Sequence, residues 1–368
     1  MSVTHRMETL RARLRQDGLD ALLVTNPENR RYLSGFTGED NRADSAGTLL
    51  VAARDAVLIT DGRYSEQAAS ECPGLRVSVR EGKLPPLVVE LARELGVARL
   101  GFEATHLTVA GRDDLATVAA EKGIALELAP TRGVVEAQRA VKAAEEIAAI
   151  ERAAAITDET FAHLLTYLRP GLTERAVALE IERFMREHGA EGVAFDPIVA
   201  CGPNAALPHA VPTDRPLREG ETIIIDMGAR YDGYCSDMTR TVCLGEPSAD
   251  IRHMYDDVLH AYEVCAAGVR AGMNGQQGDA LARDVLDAAG RGEQYLHGTG
   301  HGLGLEIHED PWLSRYRADS MLAPGMVITV EPGAYISGWG GVRIEDTVLL
   351  TADGRRALTR SPKSLMVR

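Results

Sequence analysis

The sequence lacks the features that would mark a secreted, disulfide-bonded or membrane protein. It has only five cysteines in 368 residues, an odd number, and none of them forms a Cys-x-x-Cys pair. No apolar run approaches the roughly 20 residues that a membrane-spanning helix needs. The first residues, MSVTHRMETL, are charged and contain no apolar core of a secretion signal. We therefore expect reduced thiols, no membrane partner and a cytoplasmic location.

Basic residues are scarce relative to acidic ones. The chain has 40 Lys and Arg against 54 Asp and Glu, which gives a formal net charge of -14. Proteins that bind the phosphate backbone of nucleic acids normally present a basic surface, so this charge argues against a nucleic-acid partner. The net charge does not restrict a small substrate, because one local pocket can oppose the overall sign.

The length and the order of elements predict two domains, because 368 residues are long for a single hydrophobic core. Residues 1–133 alternate helix-like and strand-like segments, which predicts an α/β domain with a mixed sheet. Residues 134–368 begin with a long Ala- and Glu-rich helix over 142–168, and Thr173 is expected to cap the next helix. The strands predicted in the first domain include 20–26, 49–53, 56–61 and 99–104.

Four segments of the second domain recur further along the chain with similar spacing between them. The apolar run that ends at Asp226, for example, recurs as the run that ends at Glu331. Such internal similarity indicates two related halves packed about a pseudo-twofold axis, with a site where they meet. The paired segments are 169–173 with 270–274, 206–212 with 305–311, 219–229 with 323–334, and 236–242 with 344–350.

The repeat predicts that four carboxylates meet in one place. Asp226 and Asp237 lie on one hairpin, and Glu331 and Glu345 occupy the matching positions of the other. Four buried carboxylates would repel one another and lose their hydration unless cations neutralise them. Two divalent ions balance four negative charges, and a pair of metals roughly 3.5–4 Å apart is a known arrangement for hydrolysis. The alternative, solvated acids at strand ends, is disfavoured by the paired recurrence.

The stretch HGTGHGLGLEIHED at 297–310 adds three histidines to the candidate site. Its glycines disfavour a helical metalloprotease motif and favour an extended strand that a ligand can approach closely. His301 has no counterpart in the first half, so we predict that it is the one imidazole ligand. His209 and His308 match each other, which suggests acid–base or oxyanion-stabilising groups on either side of the metals. His297 is expected to be structural or to support a ligand.

The donor set indicates which metals the site would take. Oxygen-rich ligation with a single nitrogen suits Mn²⁺, with Co²⁺ or Zn²⁺ as alternatives. Two such ions can activate water for attack on an amide carbonyl. The residues by themselves therefore predict a two-metal hydrolase.

The five candidate ligands stand in the contexts IIIDMG, CSDMTR, GTGHGLG, TVEPGAY and VRIEDT. In these contexts the chain resembles the pita-bread metallopeptidases, which include methionine aminopeptidase, aminopeptidase P and prolidase. The resemblance implies that residues 134–368 form an α+β pita-bread catalytic domain with a pseudo-twofold internal repeat. The implied ligands are Asp226 on one metal, His301 and Glu331 on the other, and Asp237 and Glu345 on both.

The first domain resembles that of creatinases and prolidases through NRRYLSGF and LITDGRYSEQA, so the likeness covers nearly the whole chain. Methionine aminopeptidases generally lack such a domain, which favours the proline-specific branch. Creatinases and the non-enzymatic relatives lack the metal ligands that this chain retains. The leading prediction is a prolidase, which hydrolyses the imido bond of a small peptide before its C-terminal proline. The resemblance also implies a homodimer.

One position departs from the prolidase pattern. In many prolidases His-Glu-x-Pro is followed by an arginine that holds the substrate carboxylate, and here that residue is Trp312. A free carboxylate still needs a cation, and arginine is its usual partner. We predict that Arg42, in the polar loop 35–47 of this subunit or of its dimer partner, takes this role. The alternative is an arginine on a solvated loop.

Two other functions compete with a prolidase. An aminopeptidase P would take Xaa-Pro-Yaa and longer peptides, and a metal-free module would use the cleft to bind a peptide or protein. In either peptidase His209, His308 and Trp312 would contact the substrate. Arg343, beside Glu345, is predicted to have a general catalytic role.

Overall fold

The computed structural model describes residues 2–39 and 46–367, which fall into two compact units. The first unit is Met1–Arg139 and the second is Ala140–Arg368, a division slightly C-terminal to the predicted boundary at 133. No described helix is long and apolar enough to cross a membrane.

The first unit is a mixed β-sheet with helices packed against it, as the sequence predicts. In the described residues the strand order is β4-β3-β2-β1-β5-β6, with β1 antiparallel to β2 and parallel to β5. The strands are β1 (Ala21–Val24), β2 (Thr48–Ala52), β3 (Ala56–Asp61), β4 (Arg76–Arg80), β5 (Arg99–Glu103) and β6 (Glu127–Thr131). The helices are α1 (Val3–Gln16), α2 (Pro27–Ser34), α3 (Ser65–Glu71), α4 (Leu84–Glu94), α5 (Val109–Glu121) and α6 (Glu136–Ala140).

The central strands of this sheet read as continuous apolar runs because both of their faces are covered. Leu23 of β1 and Leu50 of β2 are fully buried and share one core cluster with Val88 of α4 and Leu115 of α5. An apolar run without alternation is the pattern expected of strands that are buried on both faces. The apolar runs therefore locate β1, β2 and β3 in the sequence.

The predicted loop 35–47 lies only partly within the described residues, and Arg42 lies outside them. Both described ends of this loop are held by side chains. The Arg30 guanidinium donates hydrogen bonds to the carbonyl oxygens of Gly38 and Gly47. Glu71 accepts hydrogen bonds from the backbone N–H and the hydroxyl of Thr37, at 2.8 and 2.7 Å.

The second unit consists of two similar halves, each with two helices followed by strands. The first half contains α7 (Ala144–Tyr167), α8 (Glu174–Glu187), β7 (Gly192–Val193), β8 (Ile198–Cys201), β9 (Thr222–Met227), β10 (Ala229–Tyr231), β11 (Tyr234–Cys235) and β12 (Met238–Leu244). The second half contains α9 (Ala249–Gly268), α10 (Gly275–Ala288), β13 (Gly300–Gly302), β14 (Glu309–Leu313), β15 (Val327–Val330), β16 (Gly333–Ile336), β17 (Gly340–Arg343) and β18 (Asp346–Thr351). The chain ends with β19 (Gly354–Ala357) and β20 (Met366–Val367).

The predicted repeat is confirmed by matching backbone contacts in the two halves. Gly171 donates its N–H to the carbonyl oxygen of Leu217, and Gly272 does the same to Leu322. Each half also has a hydrophobic core of its own, one between α7, α8 and β9 and the other between α9, α10 and β15. The second unit is therefore built by using one supersecondary plan twice.

Helix caps repeat in the same way. Thr173 accepts a hydrogen bond from the N–H of Ala176 at the start of α8, as predicted, and Asn274 accepts one from Gln277 at the start of α10. Both caps follow a glycine with positive φ, 90° at Gly171 and 88° at Gly272. The shared turn and cap explain why the sequences at 169–173 (RPGLT) and 270–274 (RAGMN) are similar.

The strands that carry the candidate ligands form antiparallel pairs in each half. β9 pairs with β12 and with β8, and β15 pairs with β18. The intervening β10 and β11 form a two-residue turn at Asp232 and Gly233, whose φ values are 48° and 75°. Positive φ at both turn residues suits the right-handed twist of a hairpin.

We predict that Thr173→Ala lowers the free energy of unfolding by about 1 kcal/mol, because the N–H of Ala176 loses its side-chain acceptor. Asn274→Ala should have a similar effect in the second half, and Thr173→Ser should behave like the unaltered protein. Urea denaturation followed by circular dichroism measures these changes. Equal stability of Thr173→Ala and the unaltered protein would contradict the role of this cap.

Candidate metal centre

One cavity in the second unit brings the five candidate ligands together. Its volume is about 580 Å³, and all five ligands line it. The ligands lie at strand ends, with Asp226 in β9, Asp237 directly before β12, His301 in β13, Glu331 directly after β15 and Glu345 directly before β18. Each half supplies two carboxylates, as the repeat predicts.

The tightest part of this cluster is Asp237, His301 and Glu345, whose potential ligand atoms all lie within 4.8 Å of one another. The Nε2 atom of His301 is 3.7 Å from Oδ2 of Asp237 and 3.5 Å from Oε1 of Glu331. These separations leave room for a cation between the donor atoms. Asp226 is not part of this group of three, and its Oδ2 atom lies 2.7 Å from the guanidinium of Arg343.

The carboxylates create a strong local repulsion. Burial raises the pKa of Asp237 well above its usual value, and the charges of Glu345, Asp226 and Glu331 raise it further. Burial also raises the pKa of Glu345, together with the charges of Glu331 and Asp226. Among the described residues, the buried Oδ1 atom of Asp226 has no hydrogen-bond donor. Divalent cations fit this set, because they would neutralise the charges and give that oxygen a partner.

The tautomer of His301 is fixed by its neighbour. Its Nδ1 atom lies 3.0 Å from the carbonyl oxygen of Gly302, which can only accept, so Nδ1 carries the proton. The Nε2 lone pair then points toward Asp237 and Glu331. Burial lowers the pKa of His301, which favours the neutral imidazole that binds metals.

The glycines around His301 allow close backbone packing, as the sequence predicts. A Cβ atom at Gly300 would lie 2.0 Å from the carbonyl oxygen of Thr329. The N–H of His301 donates to the hydroxyl of Thr329 at 3.0 Å. The Gly-rich segment is therefore a short strand pressed against β15 and not a helix.

Arg343 is buried behind the ligands, with 3% of its surface exposed. Its guanidinium donates to Oδ2 of Asp226 at 2.7 Å, to the hydroxyl of Tyr335 at 2.8 Å and to the carbonyl oxygen of Pro208 at 3.1 Å. Pro208 directly precedes His209. Arg343 therefore fixes one ligand and the segment that carries a candidate substrate residue, which makes it a positioning residue in this structure.

The other predicted site residues that the structure describes, His209, His308 and Trp312, line the same cavity. His209 follows a short 3-10 helix at Gly202–Ala206, and His308 directly precedes β14. The rings of His308 and Trp312 lie nearly parallel, with centroids 6.0 Å apart, and the His301 ring is 4.4 Å from His308. Burial lowers the pKa of His308, and so does the neighbouring His301.

His297 supports the site through Tyr335. Its Nδ1 atom donates to the carbonyl oxygen of Gly298 at 2.8 Å, which leaves Nε2 to accept from the Tyr335 hydroxyl at 2.9 Å. Tyr335 in turn accepts from Arg343. This arrangement agrees with the supporting role expected from the sequence.

Sequence reasoning missed the apolar wall of the cavity. Phe195, Ile198, Val211, Ile307 and Leu313 line it together with the polar groups. Single apolar residues in loops and at strand ends carry no periodic signal, so the sequence does not single them out. Thr239 was also missed, although it stands within the repeat 236–242, and so was Tyr335, which directly follows the repeat 323–334. Thr239 contacts Glu345, and Tyr335 contacts Arg343.

The chain belongs to metallopeptidase family M24. Residues 148–352, more than half of the chain, match this family, and residues 6–141 match the creatinase/prolidase N-terminal domain. The match confirms the predicted pita-bread architecture and the expectation of divalent metal ions. It also agrees with an enzyme that hydrolyses peptides.

The similarity to individual proteins extends over the full length. The chain is 42% identical over 362 residues to an uncharacterised peptidase of Bacillus subtilis strain 168, covering 98% of this chain and 99% of that protein. Among solved structures, the Xaa-Pro dipeptidase from Bacillus anthracis matches with a TM-score of 0.93 and 41% identity over 100% of both chains. The X-Pro aminopeptidase from Thermotoga maritima MSB8 matches with a TM-score of 0.86 and 35% identity, over 97% of this chain and 100% of that chain.

We predict that metal removal lowers the melting temperature and that Mn²⁺ restores it, because an ion bound only by the folded state at 100 times its Kd contributes about 2.7 kcal/mol. Glu345→Gln should raise the melting temperature of the metal-free protein, since it removes one of the repelling charges, and should weaken the response to Mn²⁺. Thermal unfolding with chelator and with MnCl₂ measures both effects. The exposed Glu94→Gln serves as the control. A metal-free Glu345→Gln protein no more stable than the unaltered one would contradict the repulsion.

Proposed function

We propose that this protein is a two-metal Xaa-Pro dipeptidase, a prolidase. The observation that carries the proposal is the convergence of Asp237, His301 and Glu345 within 4.8 Å, in a cavity that also has an apolar wall. The carboxylates and imidazole can hold metal, and the apolar wall can receive the pyrrolidine ring of proline. The similarity to the Bacillus anthracis Xaa-Pro dipeptidase supports the same substrate class.

The metals would be held by the same five residues that the resemblance implies. Asp237 and Glu345, the most deeply buried of the four candidate carboxylate ligands, would be shared by both ions, as the resemblance implies. Asp226 would complete one ion, and His301 with Glu331 the other. Four carboxylates with one imidazole favour Mn²⁺, with Co²⁺ or Zn²⁺ as alternatives. When bound, the two ions would supply charge neutralisation and Lewis-acid activation of water and of the scissile carbonyl.

The chain's own side chains would orient the substrate and move protons. His308 and His209 face the cavity outside the ligand cluster, where they can donate a hydrogen bond to the carbonyl oxygen or a proton to the leaving nitrogen. The lowered pKa of His308 favours a neutral ring, which can donate a hydrogen bond to the carbonyl oxygen. Arg343 would keep Asp226 and the segment before His209 in place.

The alternative activity is that of an aminopeptidase P, and Trp312 is the observation that favours it. Within the described lining of the cavity, the guanidinium of Arg343 is already engaged by Asp226 and Tyr335, and Trp312 stands where many prolidases carry an arginine. The similarity to the Thermotoga maritima X-Pro aminopeptidase is compatible with this alternative. A metal-free binding module is disfavoured by the mutual repulsion of the buried carboxylates.

We also propose a cytoplasmic homodimer. Cys72, Cys201, Cys243 and Cys265 are buried and form no disulfide within the described part of the chain, which suits a reducing compartment. The dimer rests on the family resemblance.

The proposal predicts that Xaa-Pro dipeptides are hydrolysed with a kcat/KM at least about tenfold above that of Xaa-Pro-Yaa and Xaa-Ala peptides, since the site would read both the ring and the carboxylate. Assays with Mn²⁺, Co²⁺ and Zn²⁺ added separately to chelator-treated protein measure this, and Mn²⁺ should restore the most activity. A preference for Xaa-Pro-Yaa would favour aminopeptidase P. The absence of both metal and cleavage would leave only the binding module.

We propose Arg42 as the cation that holds the substrate carboxylate, although it lies outside the described residues. Arg42→Ala should then raise KM for Ala-Pro about tenfold or more, because a charge-assisted hydrogen bond is lost. The KM for Ala-Pro amide, which has no carboxylate, should not change. Arg54→Ala, on the exposed turn between β2 and β3, is the matched control. An unchanged KM for Ala-Pro would refute this role.

A further inference from the structure

Lys142 and Glu309 form a buried ion pair to which no role has been assigned above. The Nζ atom of Lys142 lies 3.0 Å from Oε2 of Glu309, and the side chains are 1% and 6% exposed. Lys142 lies two residues before the start of α7, and its N–H donates to the carbonyl oxygen of Gly325 at 2.8 Å. Glu309 begins β14 and directly follows His308. The pair therefore connects the start of the second unit to the end of the His308 segment.

The carboxylate of Glu309 is the centre around which the loop 303–308 folds. Its Oε1 atom accepts a hydrogen bond from the N–H of Glu306 at 3.0 Å. The loop also passes so close that a Cβ atom at Gly304 would lie 2.8 Å from each carboxylate oxygen. Because the loop wraps around this carboxylate, the position of His308 depends on where the carboxylate is held.

The same loop joins two functional strands. It begins after Gly302, the last residue of β13, and leads to Glu309, the first residue of β14. Gly302 pairs with Glu309, and the register of the two strands shifts between His301 and Gly302. The carbonyl oxygen of Gly304 accepts from the N–H of Cys235 at 2.8 Å, and Cys235 lies two residues before Asp237. Two contacts therefore hold the loop: the backbone hydrogen bond from Cys235 of the first half, and the contacts with Glu309, which is paired with Lys142.

Stability alone does not account for a buried ion pair at this position. Replacing such a pair by apolar side chains of similar volume is often neutral or stabilising, because desolvation of the charges offsets their attraction. Removing one partner is strongly destabilising, because it leaves an uncompensated charge. Any specific benefit of the pair must therefore be sought in the geometry that it imposes on the residues beside it.

We propose that Lys142 is a positioning residue for His308: it fixes the Glu309 carboxylate, and the carboxylate fixes the loop that presents the His308 ring beside His301 and Trp312. The role of His308 in catalysis rests on the proposed function. The position of the loop does not, and it can be measured separately.

The test compares Lys142→Met with the double variant Lys142→Met/Glu309→Met. The single variant should lower kcat for Ala-Pro about tenfold, a loss of about 1.4 kcal/mol of transition-state stabilisation, with KM and metal content little changed. It should also lower the melting temperature. In the double variant the melting temperature should recover, because no unpaired charge is left buried, while kcat should stay low. Recovery of kcat together with the melting temperature would overturn the proposal.

Hydrogen exchange supplies a readout that is independent of catalysis. Amides of residues 303–308 should exchange faster in both variants, whereas those of β1 and β2 should be unchanged. Arg76→Met, which breaks the exposed pair with Glu94, is the control and should alter neither kcat nor exchange in the loop. Unchanged exchange at 303–308 would overturn the proposal even if kcat falls.

His308→Ala separates this inference from the proposed function. If His308→Ala lowers kcat and adding Lys142→Met lowers it little further, the two residues act through one route, as proposed. Full additivity of the two losses would overturn the proposal. If no Xaa-Pro peptide is cleaved by the unaltered protein, the proposed function fails, while the exchange measurement still decides whether Lys142 holds the loop.

Discussion

Mutual repulsion among four carboxylates in one buried cavity is the constraint on which the second unit depends. Neither hairpin could keep its acids in place by strand pairing alone, because like charges at close range would drive the two halves apart. Side-chain donors oppose this repulsion on the protein side. Thr239 donates its hydroxyl to Oε2 of Glu345 at 2.7 Å, and Arg343 donates to Asp226. Each contact joins a residue of one half to a residue of the other.

Arg240 extends this cross-linking to the backbone. Its side chain is 1% exposed and donates to the carbonyl oxygens of Thr239 and Glu345, one from each half. The same guanidinium donates to Oδ1 of Asp346 at 2.7 Å. Burial alone would raise the pKa of Asp346, but the charges of Arg240 and Lys363 hold it below its usual range. Arg240, paired with Asp346, thus links the backbones of the two hairpins while the ligands face the cavity.

Much of this organisation could be predicted from the sequence because it repeats. The matching apolar runs and acids revealed the hairpins, and the cap residue Thr173 revealed the start of α8. The predicted mixed sheet of the first unit is confirmed, but its edge strand β4 has only two apolar residues, Val77 and Val79, so it gives little apolar signal. The side chains that support the ligands could not be identified from the sequence. Hydrogen bonds such as that from Thr239 to Glu345 join residues far apart in the chain.

The position of the substrate cation could not be derived from the sequence. Trp312 occupies the position where many prolidases carry an arginine, and its ring lies nearly parallel to that of His308. A pattern of residue types does not indicate which distant loop approaches a cavity, because that depends on tertiary geometry. The roles of Thr239, Tyr335 and the apolar wall were missed for the same reason.

The second unit extends beyond the residues that match the family at both ends, which matters when a shorter chain is designed. The family match ends at residue 352 and begins at 148, so it omits both Lys142 and the segment Thr359–Lys363. Lys142 supplies the charge opposite Glu309, and Thr359, Ser361 and Lys363 supply contacts to Asp346 and Arg240. A chain trimmed to the matched range would keep every candidate metal ligand and yet bury two acids that have lost partners. A piece that keeps both charge partners must therefore begin at or before Lys142 and extend at least to Lys363.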